Sequence, residues 1–185
     1  MRFFPKMTLG WLNGWIPLAI FYALFGIFLL GCSKRIVKKL YSVAGWSKRE
    51  YFLSAIGKPF SMACIVLVTF SPLIYPMGFF FAGVICYLLG SAVMFISLFE
   101  YRQTPVDEPV IGGIYHFSRN PQWVGLVLIF AGTAIMAGNG LALCLFIVTL
   151  GLYHFRILGE ERACLEAYGE SYQRYLDAAP AHYLP

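Results

Sequence analysis

The chain has 185 residues, of which 59% are hydrophobic, 18% aromatic and only 12% charged. Soluble domains are typically about 45–50% apolar and about 25% charged, so this composition excludes an ordinary soluble domain and indicates a membrane protein. The formal net charge of +5 does not argue for a nucleic-acid partner, because most of the excess of lysine and arginine falls in one loop.

Five apolar segments predict membrane-spanning helices, each of which needs about 20 residues to cross a bilayer. In chain order they cover residues 9–31, 59–75, 78–99, 121–137 and 141–158. We therefore predict an all-α fold, a polytopic membrane protein with about five transmembrane helices, in which residues 1–185 form a single integral-membrane domain. Short connections join spans two and three, and spans four and five, so each pair is predicted to form a helical hairpin.

A basic loop follows the first span. Its charged residues are Lys34, Arg35, Lys38, Lys39, Lys48, Arg49 and Lys58, against the single acidic Glu50. Such a cluster beside a spanning helix is typical of a cytoplasmic loop and can contact anionic lipid headgroups. This orientation places the N-terminus outside and the C-terminus in the cytoplasm. Residues 100–120 and 159–185 are then predicted to share the cytoplasmic side.

The C-terminal segment has the periodicity of a helix. Glu161, Leu165, Tyr168, Tyr172 and Tyr175 recur at steps of three and four residues and therefore share one face, which predicts a cytosolic amphipathic helix on the membrane surface. Gly169 lowers helix propensity by about 1 kcal/mol relative to alanine and is a candidate break. The five cysteines form no CxxC pair and the three histidines form no close ligand pair, so we predict neither disulfides nor a metal site.

Two polar clusters, at residues 112–121 and 160–162, flank the last two spans. Pro121 suits the first turn of a helix, whose N-terminus carries a partial positive charge and can receive a carboxylate. Arg119 can pair bidentately with the same carboxylate, and Glu160 and Glu161 can hold an ammonium. S-adenosylmethionine carries a carboxylate, an ammonium and a sulfonium, and the sulfonium can lie against an aromatic ring. The alternative is that Arg119 contacts phosphate headgroups and the glutamates are solvated charges.

The two clusters also resemble the isoprenylcysteine carboxyl methyltransferase and phospholipid methyltransferase superfamily. The resemblance covers about residues 104–185 and is carried by the stretches "GGIYHFSRNPQWVG" and "EERACLEAYGESYQRYLDAAPAHYLP". The matching residues of the first stretch are Gly113, Tyr115, Arg119, Asn120, Pro121 and Gly125. Those of the second are Glu160, Glu161, Leu165, Tyr168, Gly169, Tyr172, Tyr175 and Pro180.

The resemblance implies methyl transfer from S-adenosylmethionine to a lipophilic or small acceptor at the cytosolic membrane face. Residues 100–185 would form the cofactor-binding methyltransferase core behind three N-terminal spans in residues 1–99. The cofactor site would be lined by Gly113, Tyr115, Arg119, Asn120, Trp123, Glu160 and Glu161. The catalytic roles would fall to Arg119 and Glu161.

Three departures from the family pattern leave the acceptor open. Asn120 replaces the commoner histidine and cannot act as a base near pH 7. Trp123 replaces a tyrosine, and the C-terminal "APAHYLP" lacks the family's arginine. Two other functions stay open: an NADPH-dependent double-bond reductase of the sterol type, and a non-catalytic membrane protein with a degenerate cofactor pocket.

Overall fold

The computed structural model describes residues 3–4, 7–43, 45–74 and 78–179. Within these ranges the chain forms seven α-helices and one 3₁₀ turn, which confirms the all-α prediction. The helices are α1 (Trp15–Leu30), α2 (Lys34–Leu40), α3 (Lys48–Thr69), α4 (Gly78–Gln103), α5 (Pro121–Met136), α6 (Gly140–Tyr168) and α7 (Glu170–Ala178). The 3₁₀ turn covers Gly113–His116.

Among the described residues, three helices are long and apolar enough to cross a membrane: α3, α4 and α6. Helices α1 and α5 have 16 residues each. A helix of that length extends about 24 Å, somewhat less than the roughly 30 Å hydrocarbon core of a bilayer. Three spanning helices are therefore supported directly, and the count of five stays a prediction.

Four predicted span boundaries differ from the helices by six residues or more. Helix α1 begins at Trp15 rather than near residue 9, and helix α3 ends at Thr69 rather than near residue 75. Helix α3 begins at Lys48 rather than near residue 59, because Ser47 and Glu50 form a reciprocal capping box in which the Ser47 N–H donates to the Glu50 carboxylate at 2.7 Å. Helix α6 continues past residue 158 to Tyr168. The chain then breaks at Gly169, whose φ is +57°, so the predicted break is confirmed, and the C-terminal segment consists of the last turns of α6 followed by α7.

The expected hairpins are not the packing units of the fold. Helix α4 packs mainly on α5, and α3 packs mainly on α6. Glycines allow α4 and α5 to pack closely, since Gly83 and Gly90 of α4 face glycines of α5. The facing residues are Gly132 and Gly125. A Cβ built on Gly90 would lie 2.7 Å from the carbonyl oxygen of Gly125. The two backbones thus approach more closely than side chains would allow.

Helix α1 covers the seam between these two helix pairs. Its Leu18 packs against Cys64 and Val68 of α3, and its Phe21 packs against Met94 of α4. At one end of the bundle the start of α1, the end of α3 and the α5–α6 turn are joined by hydrogen bonds. At the other end α3 begins, α4 ends, α5 begins and α6 ends. The loop before α5 and the segment after α6 therefore share one side, as predicted.

Candidate functional site

Two adjoining cavities lie at the end of the bundle where the polar clusters meet. The first, which we name the polar cavity, has a volume of about 280 Å³ and is walled by residues of α2, α4, α5, α6, α7 and the loops between them. The second, the apolar cavity, has about 300 Å³ and lies between α1, α3, α4, α5 and α6. The residues that line both are Leu40, Gln122, Trp123 and Glu160.

An ion pair joins the two predicted clusters inside the polar cavity. The Nε of Arg119 lies 3.7 Å from Oε1 of Glu161, and their side chains are only 12% and 13% exposed. The Nδ2 of Asn120 donates a hydrogen bond of 3.3 Å to the same carboxylate oxygen. Asn120 precedes α5 without capping it through its side chain. The side-chain amide of Asn120 is therefore directed at Glu161.

Tyr115 forms a fixed wall of the polar cavity. It is buried, and its hydroxyl accepts a hydrogen bond from Gln122 Nε2 at 3.0 Å. The hydroxyl of Tyr175 donates to the Tyr115 carbonyl oxygen at 2.8 Å, which ties α7 to the 3₁₀ turn. Burial raises the pKa of Tyr115 well above its ordinary value, so this phenol stays protonated at neutral pH and provides no base.

Gly113 is the one predicted site residue that does not line the polar cavity. Its φ is +55°, a conformation that favours glycine. A Cβ at this position would collide with the carboxylate of Glu100. In the structure Gly113 shapes the turn that presents Tyr115, while Tyr115, Arg119, Asn120, Trp123, Glu160 and Glu161 all line the cavity.

A stack of aromatic and charged groups stands where the two cavities meet. The guanidinium of Arg156 lies 5.3 Å from the ring centroids of both Trp46 and Trp123. Its Nε donates to Glu160 at 2.7 Å, and the indole N–H of Trp123 lies 3.5 Å from the other oxygen of Glu160. Glu160 is thus held by Arg156, whereas Glu161 is held by Arg119.

Sequence reasoning missed the residues that α2 and the loop after it bring to the site. Lys39, Leu40, Ser42 and Trp46 line the polar cavity. The ammonium of Lys39 donates to the carbonyl oxygens of Pro105 and Glu108, at 3.3 and 2.8 Å. Burial lowers the pKa of Lys39, against the opposing effect of nearby groups that include Asp107 and Glu108. These contacts fasten α2 over the cavity, an arrangement that no local pattern predicts.

The apolar cavity extends from the shared wall into the bundle. Its lining is mainly aromatic and aliphatic, with Phe21, Tyr22 and Phe25 from α1 and with Leu126 and Phe130 from α5. The α6 residues on its wall run from Phe146 to Glu160, a distance of about 21 Å along a helix axis. The cavity therefore has the depth and the surface to receive an apolar chain.

The sequence matches the family model of the phospholipid methyltransferases over residues 66–171. It is also 33% identical over 73 residues to the protein-S-isoprenylcysteine O-methyltransferase of Schizosaccharomyces pombe. That alignment covers 39% of this chain and 31% of the yeast protein, so the chain spans less than a third of that relative's length. The family match covers more than half of the chain and includes both polar clusters. The protein therefore belongs to the phospholipid methyltransferase family, in the superfamily that also contains the isoprenylcysteine carboxyl methyltransferases.

Proposed function

We propose that the protein is an integral-membrane methyltransferase that uses S-adenosylmethionine to methylate a lipophilic acceptor. The observation that carries the proposal is the wall shared by the two cavities. A polar cavity with a partly buried Arg–Glu pair adjoins a deep apolar cavity, and Gln122, Trp123 and Glu160 belong to both. A zwitterionic ligand and a lipid tail can therefore approach the same point from opposite sides.

The polar cavity has the groups needed for the amino-acid end of the cofactor. Arg119 would hold the carboxylate and Glu161 the ammonium, with Asn120 keeping Glu161 in place. The Arg119–Glu161 separation of 3.7 Å exceeds the roughly 2.7–2.9 Å of a good charge-assisted bond. A ligand that carries both charges can improve on this contact by pairing with each partner. The two cavities, at about 280 and 300 Å³, together lie in the range of ligand sites, roughly 300–1,000 Å³.

The chain's own contribution to the reaction would be positioning and the exclusion of water. S-adenosylmethionine supplies, when bound, an electrophilic methyl group on a sulfonium. Trp123 offers a ring face beside which a positive centre is stabilised, and the apolar cavity holds the acceptor's tail so that its head reaches the shared wall. Asn120 and the protonated Tyr115 provide no base, so rate enhancement would come mainly from orientation.

The proposed arrangement in the membrane places the polar cavity at the cytosolic face. Helices α1 and α5 would complete five spans, with the N-terminus outside and the C-terminus in the cytoplasm. Helix α7 would be the cytosolic amphipathic helix, because it buries Tyr172 and Tyr175 while exposing Glu170 and Arg174. Residues 1–99 and 100–185 would act as one domain, since α1 lines the apolar cavity and α2 contributes to the walls of both cavities.

Ligand titration tests the proposed cofactor. Purified protein in lipid nanodiscs should bind S-adenosylhomocysteine and should bind NADPH at least tenfold more weakly, because the 2′-phosphate of NADPH needs additional cations. Membranes containing the protein, incubated with a radiolabelled methyl donor, should yield a labelled lipid whose identity gives the acceptor. Tighter binding of NADPH would instead support a reductase. Binding of neither compound would support a non-catalytic protein.

Filling the apolar cavity should separate acceptor binding from cofactor binding. Leu126→Trp places a bulky ring in the apolar cavity without touching the polar one, so we expect methyl transfer to fall at least tenfold while the affinity for S-adenosylhomocysteine changes less than twofold. Ile147→Trp is the matched control, since Ile147 is 62% exposed on the outer face of α6. Unchanged methyl transfer in Leu126→Trp would show that the acceptor does not use this cavity.

A further inference from the structure

The segment of residues 34–49 carries an unbalanced positive surface. Its exposed cations are Lys34, Arg35, Lys38, Lys48 and Arg49. The sequence of this segment contains no acidic residue. The next acidic side chain, Glu50, is buried and lies 2.9 Å from Arg162, so it does not neutralise the surface. Acidic groups of other elements approach the segment at Lys39 and at Gly45, namely Asp107, Glu108 and Glu166. The five exposed cations outnumber these three carboxylates.

Exposed apolar side chains lie among these cations. Tyr41, Val43, Tyr51 and Phe52 are each at least half exposed. Cations interspersed with exposed aromatic and aliphatic groups are typical of a segment lying in a membrane interface. A surface that binds only soluble anions has no need of the apolar groups. The composition of this surface therefore favours a lipid bilayer as the partner.

The inner side of the same segment closes the polar cavity. Lys39, Leu40, Ser42 and Trp46 line that cavity, and Lys39 is fastened to the loop at residues 105–108 by two hydrogen bonds. Leu40 packs against the cluster that contains Phe28 and Leu98. The same short segment therefore exposes cations on its outer surface and contributes side chains to the wall of the polar cavity on its inner surface.

We propose that the exposed cations of residues 34–49 bind anionic lipid headgroups and that this contact holds the cavity-lining residues of the same segment in place over the polar cavity. The affinity of the cavity for its ligand then depends on the charge of the surrounding bilayer. Each lysine or arginine near an anionic surface adds attraction that falls off within about 10 Å at 0.1 M salt. The evidence for the lipid contact is the composition of this surface and does not depend on the proposed function. The coupling to cofactor affinity does rest on the proposed function.

Lipid binding is measured with fluorescent phosphatidylglycerol in mixed detergent micelles. The triple variant Lys34→Gln, Arg35→Gln, Lys38→Gln should bind this lipid at least tenfold more weakly, since each cation is expected to contribute about fivefold. Arg174→Gln removes an exposed cation from α7 and should have little effect. Equal binding by wild type and triple variant would overturn the proposal, as would full competition by inorganic phosphate, which would show that the cations bind phosphate without a bilayer.

The coupling is measured by titrating S-adenosylhomocysteine into protein in nanodiscs. Nanodiscs of equal parts phosphatidylcholine and phosphatidylglycerol should give several-fold tighter binding than phosphatidylcholine alone, and the triple variant should lose this difference. Lys39→Met should weaken binding in both lipids, because it releases the cavity cover directly. Unchanged affinity in the two lipids would refute the coupling. Absence of any S-adenosylhomocysteine binding would refute the proposed function, while the phosphatidylglycerol measurement would still decide the lipid contact.

Discussion

Replacing Glu161 by glutamine is expected to lower the affinity for S-adenosylhomocysteine about a hundredfold. The substitution keeps the shape of the side chain but removes the charge that would hold the ligand's ammonium. It also removes the negative charge that lies 3.7 Å from Arg119, whose side chain is only 12% exposed. Hydrogen bonds to charged partners contribute about 1.5–3 kcal/mol, which corresponds to a change of roughly ten- to a hundredfold. The low exposure of the Glu161 side chain, 13%, favours the upper end. Isothermal titration in nanodiscs measures the effect.

A truncated ligand distinguishes this role from general damage to the site. 5′-Methylthioadenosine has the adenosine part of the cofactor and lacks the carboxylate and the ammonium. Its affinity should be the same for wild type and Glu161→Gln, because the groups that Glu161 and Arg119 would contact are missing. Glu170→Gln, at an exposed position of α7, is the matched control and should bind both ligands normally. An equal loss for both ligands would contradict the assignment of Glu161 to the ammonium.

The polar half of the candidate site could be predicted because its residues are close in sequence to recognisable helix ends. Pro121 marks the start of α5, and Glu160 and Glu161 follow an apolar run, so counting spans places both clusters on one side. The structure confirms that they meet at the Arg119–Glu161 pair. The start of α3 is also predictable from the sequence, since Ser47 and Glu50 have the spacing of a capping box. The prediction of a start near residue 59 follows the longer apolar run after Pro59 and overlooks this capping box.

The rest of the site depends on contacts between residues distant in sequence. Arg156 stacks between Trp46 and Trp123, and Lys39 reaches the loop at residues 105–108. Neither contact has a local pattern, because each joins residues that are more than 30 positions apart in the chain. Packing of membrane helices is likewise set by where small residues face each other, and hydropathy does not report this. For this reason the sequence predicts that α4 pairs with α3, although α4 packs mainly on α5.

The close contact between α4 and α5 leads to the largest expected effect on stability. Gly125→Leu should prevent normal folding, because even a Cβ at this position would lie 2.8 Å from the Cβ and the backbone nitrogen of Met94. The milder Gly125→Ala should lower the free energy of unfolding by about 1–3 kcal/mol, the usual cost of overpacking a filled core. Thermal unfolding in detergent, followed by circular dichroism, measures both variants.

Gly151→Ala is the matched control, since Gly151 also lies within an apolar helix but nothing comes within 4 Å of a Cβ built there. It should leave stability unchanged or raise it by about 0.5–1 kcal/mol, because alanine is the better helix former. Opposite signs for the two glycine substitutions are therefore expected, whereas equal destabilisation would show that the glycines act through backbone flexibility. Gly125→Ala should also weaken S-adenosylhomocysteine binding, because α5 begins at Pro121 beside Asn120, and a displaced α5 carries Arg119 away from Glu161.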